Sequence, residues 1–294
     1  SCFDHATAEA PPSASVISWR PLPIHAITMS APTGRPLLAR LLPSLTVALL
    51  AALPFAFGLP GDFVLDDIPN IVNNDALQLK QLSTDGLVKI ATAPQISGSL
   101  RVVPTLTFAL DYWRAGTLDP ATFKTTNIVI HALTAGALAW LFHALLLAAS
   151  IPAKRAQWAA PALALAWALH PLQVSSVLYT VQRMQIMGTL FLVLALLTYL
   201  QARRAQLAGD SGRTGLLASA LLWVVALGCK EDSILLPAYT LALELTVLRF
   251  GAADSVLATR LRRGYGFATL AGFAAYVLWV IPNNWNWDAY PARN

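Results

Sequence analysis

Two adjacent carboxylates, Asp66 and Asp67, follow the first long apolar run, in the stretch Gly61-Asp62-Phe63-Val64-Leu65-Asp66-Asp67-Ile68-Pro69-Asn70. A carboxylate placed there can act as general base on an acceptor hydroxyl, or hold a divalent cation such as Mg or Mn against a phosphate. It can equally cap a short helix. Further along, Arg101 precedes Val102-Val103-Pro104, and Asp111-Tyr112 lies beyond it. A guanidinium suits two-pronged binding of phosphate, although at a membrane it also serves as an interfacial anchor. Asn127 and His131, four residues apart, share a helix face, a spacing that favours an interhelical hydrogen bond over a ligand site. His170, Gln173, Tyr179, Gln182 and Arg183 fall in one short connection, where a polar cluster would suit a phosphate or a sugar. Lys230, Glu231 and Asp232 form the last such group; Lys230 can pair with Glu231 or neutralise a phosphate.

The elements that must position these residues are membrane helices. Of the 294 residues, 56% are hydrophobic and only 12% are charged, against about 25% charged in an average soluble domain. That balance suits a bilayer rather than water. The formal net charge of +5 comes from scattered basic residues without interleaved aromatics, so nucleic acid is not an expected partner. Of the two cysteines, Cys229 lies among apolar residues and Cys2 in a segment of no clear period, which predicts neither a disulfide nor a zinc site.

Seven apolar runs are long enough to be read as spans: about 41–60, 126–149, 157–171, 183–202, 214–229, 232–249 and 264–282. The pattern predicts an all-α, polytopic helical bundle. Three charges at Lys230–Asp232 are costly in mid-bilayer, so the fifth and sixth runs are expected to form a hairpin with its turn at a membrane face. With the N-terminus inside, the short internal loops carry nine cations, at 154, 155, 203, 204, 213, 249, 260, 262 and 263, while the short external ones carry Arg183 and Lys230 alone. That bias fixes the orientation and puts 61–125 outside as one long loop. Arg35 and Arg40 then anchor the inner face, and Trp285 and Trp287 suit an outer interfacial belt. All the candidate site residues fall on the external side.

Residues 1–37 are read as an N-terminal tail, disordered or upstream of a start at Met29, and 38–294 as a membrane domain cut short at its C-terminus. The apolar spacing of Arg101-Val102-Val103-Pro104 and Ala109-Leu110-Asp111-Tyr112 suggests a short helix on the membrane surface within the first external loop.

The order of motifs carries a resemblance. An Asp66-Asp67 pair after the first span is followed by Arg101-x-x-Pro104, then Phe123-Lys124-x-x-Asn127-Ile128-x-Ile130-His131. Next come His170-Pro171-Leu172-Gln173-x-x-x-Val177-x-Tyr179-x-x-Gln182-Arg183 and then Lys230-Glu231 before an apolar run. This resembles the bacterial GT-C membrane glycosyltransferases related to the animal transmembrane and tetratricopeptide-repeat O-mannosyltransferases. The resemblance implies a polyprenyl-phosphate sugar donor, a protein or glycan acceptor, transfer with inversion, and a bacterial inner membrane with the site on its external face. It matches Asp66 or Asp67 to the family's first-loop acidic motif, the catalytic position. On charge grounds Arg183, Lys230, His170, Gln182 and Arg101 are then expected at the donor phosphate, with Gln173, Glu231, Asp111 and Tyr179 in support. Tetratricopeptide repeats, common after the membrane part of such proteins, are absent from this stretch, and a full catalytic module has more than seven spans. A lipid-linked-sugar transporter and a non-catalytic membrane scaffold are the competing readings; the first would place ionisable groups near mid-span in paired repeats.

Overall fold

The computed structural model describes residues 37–81, 83–92 and 101–284. The expected start at Met29, the anchor Arg35, the interfacial Trp285 and Trp287, and Cys2 lie outside the described residues, as does most of the tail.

Among the described residues the structure is all-helical. Helix α1 (Leu37–Ala52) continues as a 3-10 turn through Leu53–Gly58. The loop after it holds α2 (Thr84–Thr92) and α3 (Val102–Ala115). Then follow α4 (Pro120–Ala148), α5 (Ala153–Ala168), the short α6 (Gln173–Leu178), α7 (Arg183–Leu207), α8 (Arg213–Leu227), α9 (Leu236–Leu243), α10 (Ser255–Ala275) and the single turn α11 (Ile281–Asn284). Helix α4 starts where the sequence dictates: Asp119 accepts the Thr122 N–H at 3.0 Å, and Pro120 occupies the first turn, where its missing N–H costs nothing.

Four helices are long and apolar enough to cross a membrane: Leu41–Gly58, Pro120–Ala148, Thr180–Leu207 and Ser255–Asn283. The other three expected spans fold as shorter helices. The third is α5, and the fifth is α8. The sixth divides into a 3-10 turn (Glu231–Leu235), α9, and a π-turn (Glu244–Leu248). The reason is that an apolar run counts residues spent in turns. α8 pairs closely with α7: a Cβ at Gly215 would stand 2.9 Å from that of Ala202. At its other end the Val103 N–H donates to the Gly228 carbonyl at 3.2 Å. Fifteen residues at about 1.5 Å each give a helix of about 22 Å, short of the ~30 Å of a bilayer core.

The helices run between two polar poles. At one, the start of α4, the end of α5, all of α6, the start of α7 and the turn after α8 meet. At the other, Arg203 is fully buried and pairs with Glu244 at 2.6 Å. Its Nη2 also donates to the Gly251 carbonyl at 2.6 Å, reached because Arg249 and Phe250 reverse the chain at φ 51° and 53°. The Tyr199 hydroxyl completes this network, donating to Glu244 at 2.7 Å and meeting the Tyr265 hydroxyl at 2.8 Å. Arg203 is thus not a loop cation: α7 extends to Leu207, and the side chain is consumed inside the bundle. Between the poles lies an apolar core of Val47, Leu138, Leu141, Val193, Leu197 and Leu200. Helix α10 is the least covered and carries no buried residue.

The orientation expected from the loop charges has a direct test. A cysteine introduced by Asp85→Cys reacts with an impermeant thiol reagent added outside intact cells, and one introduced by Asp210→Cys reacts only after permeabilisation; both positions are exposed. The reverse pattern would invert the topology and move the candidate site inside.

Candidate active site

The aspartate pair divides. Asp67 is fully buried, while Asp66 is exposed. The Asp67 carboxylate accepts the Val64 N–H at 3.1 Å on one oxygen and the Val181 N–H at 2.7 Å on the other. It thereby closes its own turn and ties that turn to the start of the third long helix. Burial pushes its pKa above the usual carboxylate range, against the pull of those N–H donors and of Lys124. Within the closed turn Leu65 adopts φ 47°, a left-handed conformation that costs a β-carbon-bearing residue about 1–2 kcal/mol. Strain of this kind persists only where the surroundings over-determine it. Here it aims Asp66 outward.

Two further contacts hold the turn. The Asp66 N–H donates to the Tyr179 hydroxyl at 2.8 Å. Burial, with the Asp66 carboxylate beside it, raises the Tyr179 phenol further above its ordinary value, so it stays neutral at physiological pH. On the other side Lys124 Nζ donates to the Gly61 carbonyl at 2.5 Å and the Gly58 carbonyl at 3.4 Å. A β-carbon at Gly61 would lie 2.7 Å from that ammonium, so any larger residue there would displace the lysine's tip.

The segment 177–183 is the hub. Asn127 donates to the Val177 carbonyl at 3.0 Å and the Thr180 carbonyl at 3.2 Å. His131, one turn deeper in α4, bonds the Ala168 carbonyl through Nε2 at 3.0 Å and stacks on Trp167. Both residues therefore lock α4 to the α5–α7 connection, as their shared face implied.

Arg183 departs from expectation. It is fully buried, pairs with Asp111 at 2.6 Å, and donates to Asn127 Oδ1 at 2.7 Å, the Phe123 carbonyl at 2.7 Å and Thr107 at 3.3 Å. Its guanidinium lies 4.4 Å from the Phe108 ring centre. The anion expected beside this cation is Asp111 itself. Asp111 also accepts Thr126 at 2.7 Å and Arg114 at 3.0 Å, and is structural.

His170, Gln173, Gln182 and Arg183 do not gather into one cluster. His170 is exposed and its Nδ1 accepts the Leu172 N–H at 3.3 Å; Gln182 is half-buried one residue before Arg183. Nor does Lys230 pair with its neighbour. Glu231 instead takes a two-pronged ion pair from Arg101, Nε at 3.1 Å and Nη2 at 3.2 Å, while Arg101 Nη1 contacts Met184 sulfur at 2.9 Å. Lys230 Nζ donates to Gln185 Oε1 at 2.6 Å, and Gln185 Nε2 donates to Asp232 at 2.9 Å. Gln185 was missed in the sequence; the signal was an amide inside an otherwise apolar helix start.

Tyr179, Met184 and Gln185 lie within seven residues of chain, so Asp66 and the Arg101–Lys230 cations are tied to one short stretch at the same pole. This arrangement joins an exposed carboxylate to two cations that are at least partly solvent-accessible. It does not fit a protein-held divalent ion. Both Asp67 oxygens are taken by N–H donors, and among the described residues no three His, Cys, Asp or Glu side chains converge.

The chain is similar to the protein O-mannosyl-transferase TMTC4 of Homo sapiens, with 31% identity over 202 residues, covering 65% of this chain and 27% of that protein. It is also similar to the protein O-mannosyl-transferase TMTC4 of Mus musculus, with 29% identity over 229 residues, covering 74% of this chain and 31% of that protein. It is therefore related to these proteins and spans less than a third of the length of either. No family model and no solved structure matches it.

Proposed function

We propose that this multi-pass chain is the catalytic membrane part of a glycosyltransferase. On this reading it moves mannose from a polyprenyl-phosphate carrier to a hydroxyl of a protein or glycan acceptor, at the external face of a bacterial inner membrane. The relatives' shared name supports the transfer reaction. The observation that carries the site is Asp66: it is exposed on a strained turn fixed by Asp67, Tyr179 and Lys124, at the pole that also presents Arg101 and Lys230.

The chemistry follows from those residues. The Asp66 carboxylate takes the proton from the acceptor hydroxyl as its oxygen attacks the anomeric carbon. The bond from that carbon to the phosphate oxygen breaks on the opposite side, so configuration inverts. Polyprenyl phosphate leaves with an added negative charge, and Lys230 and Arg101 stabilise that charge as it grows. Asp67, Asp111 and Arg183 position this machinery from within the protein. On this reading the shorter α5, α8 and α9 with its flanking turns cross alongside the four long helices, and α2 and α3 lie at the external membrane surface.

Donor titrations test the phosphate assignment. In the full-length protein, Arg101→Ala and Lys230→Ala are each expected to raise the apparent donor KM about tenfold, the equivalent of about 1.4 kcal/mol, with little change in acceptor KM. Unchanged donor KM in both variants and in the double variant would remove these cations from the site.

A further inference from the structure

A cavity of about 210 Å³ opens between α4, α5, α6 and α7, lined by Trp167, Gln173, Ser176, Gln185 and Thr189 among others. We propose that it holds the sugar ring of a glycosyl phosphate whose anionic end rests on Lys230.

The lining dictates the class of ligand. No charged side chain lines the cavity, so it offers nothing to neutralise a phosphate. Its walls combine one aromatic surface with amides and hydroxyls, which suits a neutral ring bearing many hydroxyls and an apolar C–H face. The volume is below the ~300–1,000 Å³ of drug-sized sites, which points to a single ring. Among the described residues the Gln173 and Ser176 side chains have no protein hydrogen-bond partner, leaving both for a ligand. Trp167 is braced for stacking: His131 packs against its indole with ring centres 5.3 Å apart, and His131 is itself fixed by the Ala168 carbonyl.

The anionic end is assigned by Gln185. This residue lines the cavity and also accepts the Lys230 ammonium at 2.6 Å. A ligand that fills the cavity and continues past the Gln185 carbonyl meets the Lys230 ammonium, while Asp232 sits at the amide's other end. A molecule with a neutral polar ring joined to an anion uses the cavity and the cation together. Helix α6 connects the same cavity to Asp66, since Ser176 is one helical turn before Tyr179, whose hydroxyl holds the Asp66 N–H. The identity of the anion rests on the donor reading above; the ring's location does not.

The test uses Ser176→Cys and, separately, Gln173→Cys in the full-length protein in lipid nanodiscs. Cys2 is replaced by Ser in both variants, and the remaining native Cys229 is fully buried and gives little background. Maleimide labelling is timed with polyprenyl-phosphate mannose, with polyprenyl phosphate, or with neither. At ten times its Kd the sugar-bearing lipid should slow labelling about tenfold, as single-site occupancy requires, while the bare lipid phosphate should not. Equal protection by both lipids would assign the cavity to the phosphate or the chain and overturn the proposal, as would protection by neither. Sugar transfer by the unmodified protein separates the two readings. Transfer without cysteine protection defeats the cavity assignment alone; protection without transfer keeps the sugar site and defeats the transferase.

Discussion

Asp66→Asn in the full-length protein should lower sugar transfer by about 10²–10⁴-fold, the usual contribution of a positioned general base, while expression and thermal stability stay at wild-type levels. The second half of that expectation follows from exposure: the Asp66 carboxylate lies at the surface beside the Tyr179 hydroxyl, a donor that an amide oxygen can equally accept. Asp67→Asn should behave differently. Its carboxylate receives two backbone N–H groups, and an amide can accept only one of them while pointing its own NH₂ at the other. Leaving a buried donor unsatisfied costs about 1–3 kcal/mol, so this variant should lose stability first. Its activity falls because the Leu65 turn relaxes and Asp66 is no longer aimed. Full transfer by Asp66→Asn, or equal loss of stability in the two variants, would reverse the division of roles.

Arg183→Ala should be the most destabilising single change at the pole that holds the candidate site. It strips Asp111, Asn127 and the Phe123 carbonyl of one shared donor. Removing one partner from a buried ion pair costs about 3–5 kcal/mol because the other charge stays behind. A large fall in the thermal midpoint of the detergent-solubilised protein, and in its monodisperse yield, is the expected result. Arg183→Lys keeps the charge but not the fork, so it should fall between. The double variant Arg183→Met with Asp111→Leu removes both charges and should recover part of the stability. A stable Arg183→Ala protein with a raised donor KM would instead return Arg183 to the phosphate.

These two expectations show what was legible in the residues. The acidic pair after the first apolar run and the structural use of Asn127 and His131 could both be argued from spacing and charge. Which aspartate faces out could not, because adjacent residues in an irregular turn obey no period. Arg183 misled for a related reason. A cation at the end of a span does demand an anion, but that anion was supplied by Asp111, on a helix distant in sequence. Pairing of Glu231 with adjacent Lys230 is one of two readings the residue order leaves open; the chain's extended backbone at Lys230, φ −158° and ψ 147°, separates the two side chains, and Arg101 takes the carboxylate. Span lengths failed where apolar runs pass through turns, as around Glu231–Leu235 and Glu244–Leu248. The buried Arg203–Glu244 pair was hidden because charges near a predicted helix end look like loop charges.

The central claim is that a lipid-phosphate sugar is consumed at the external pole. The direct measurement is transfer of radiolabelled mannose to an acceptor protein by the purified full-length protein in nanodiscs, with polyprenyl-phosphate mannose or a nucleotide-activated mannose as donor. Incorporation from the lipid donor alone, abolished by Asp66→Asn, is the predicted result. Incorporation from the nucleotide sugar, or incorporation from the lipid donor that Asp66→Asn leaves intact, would contradict it.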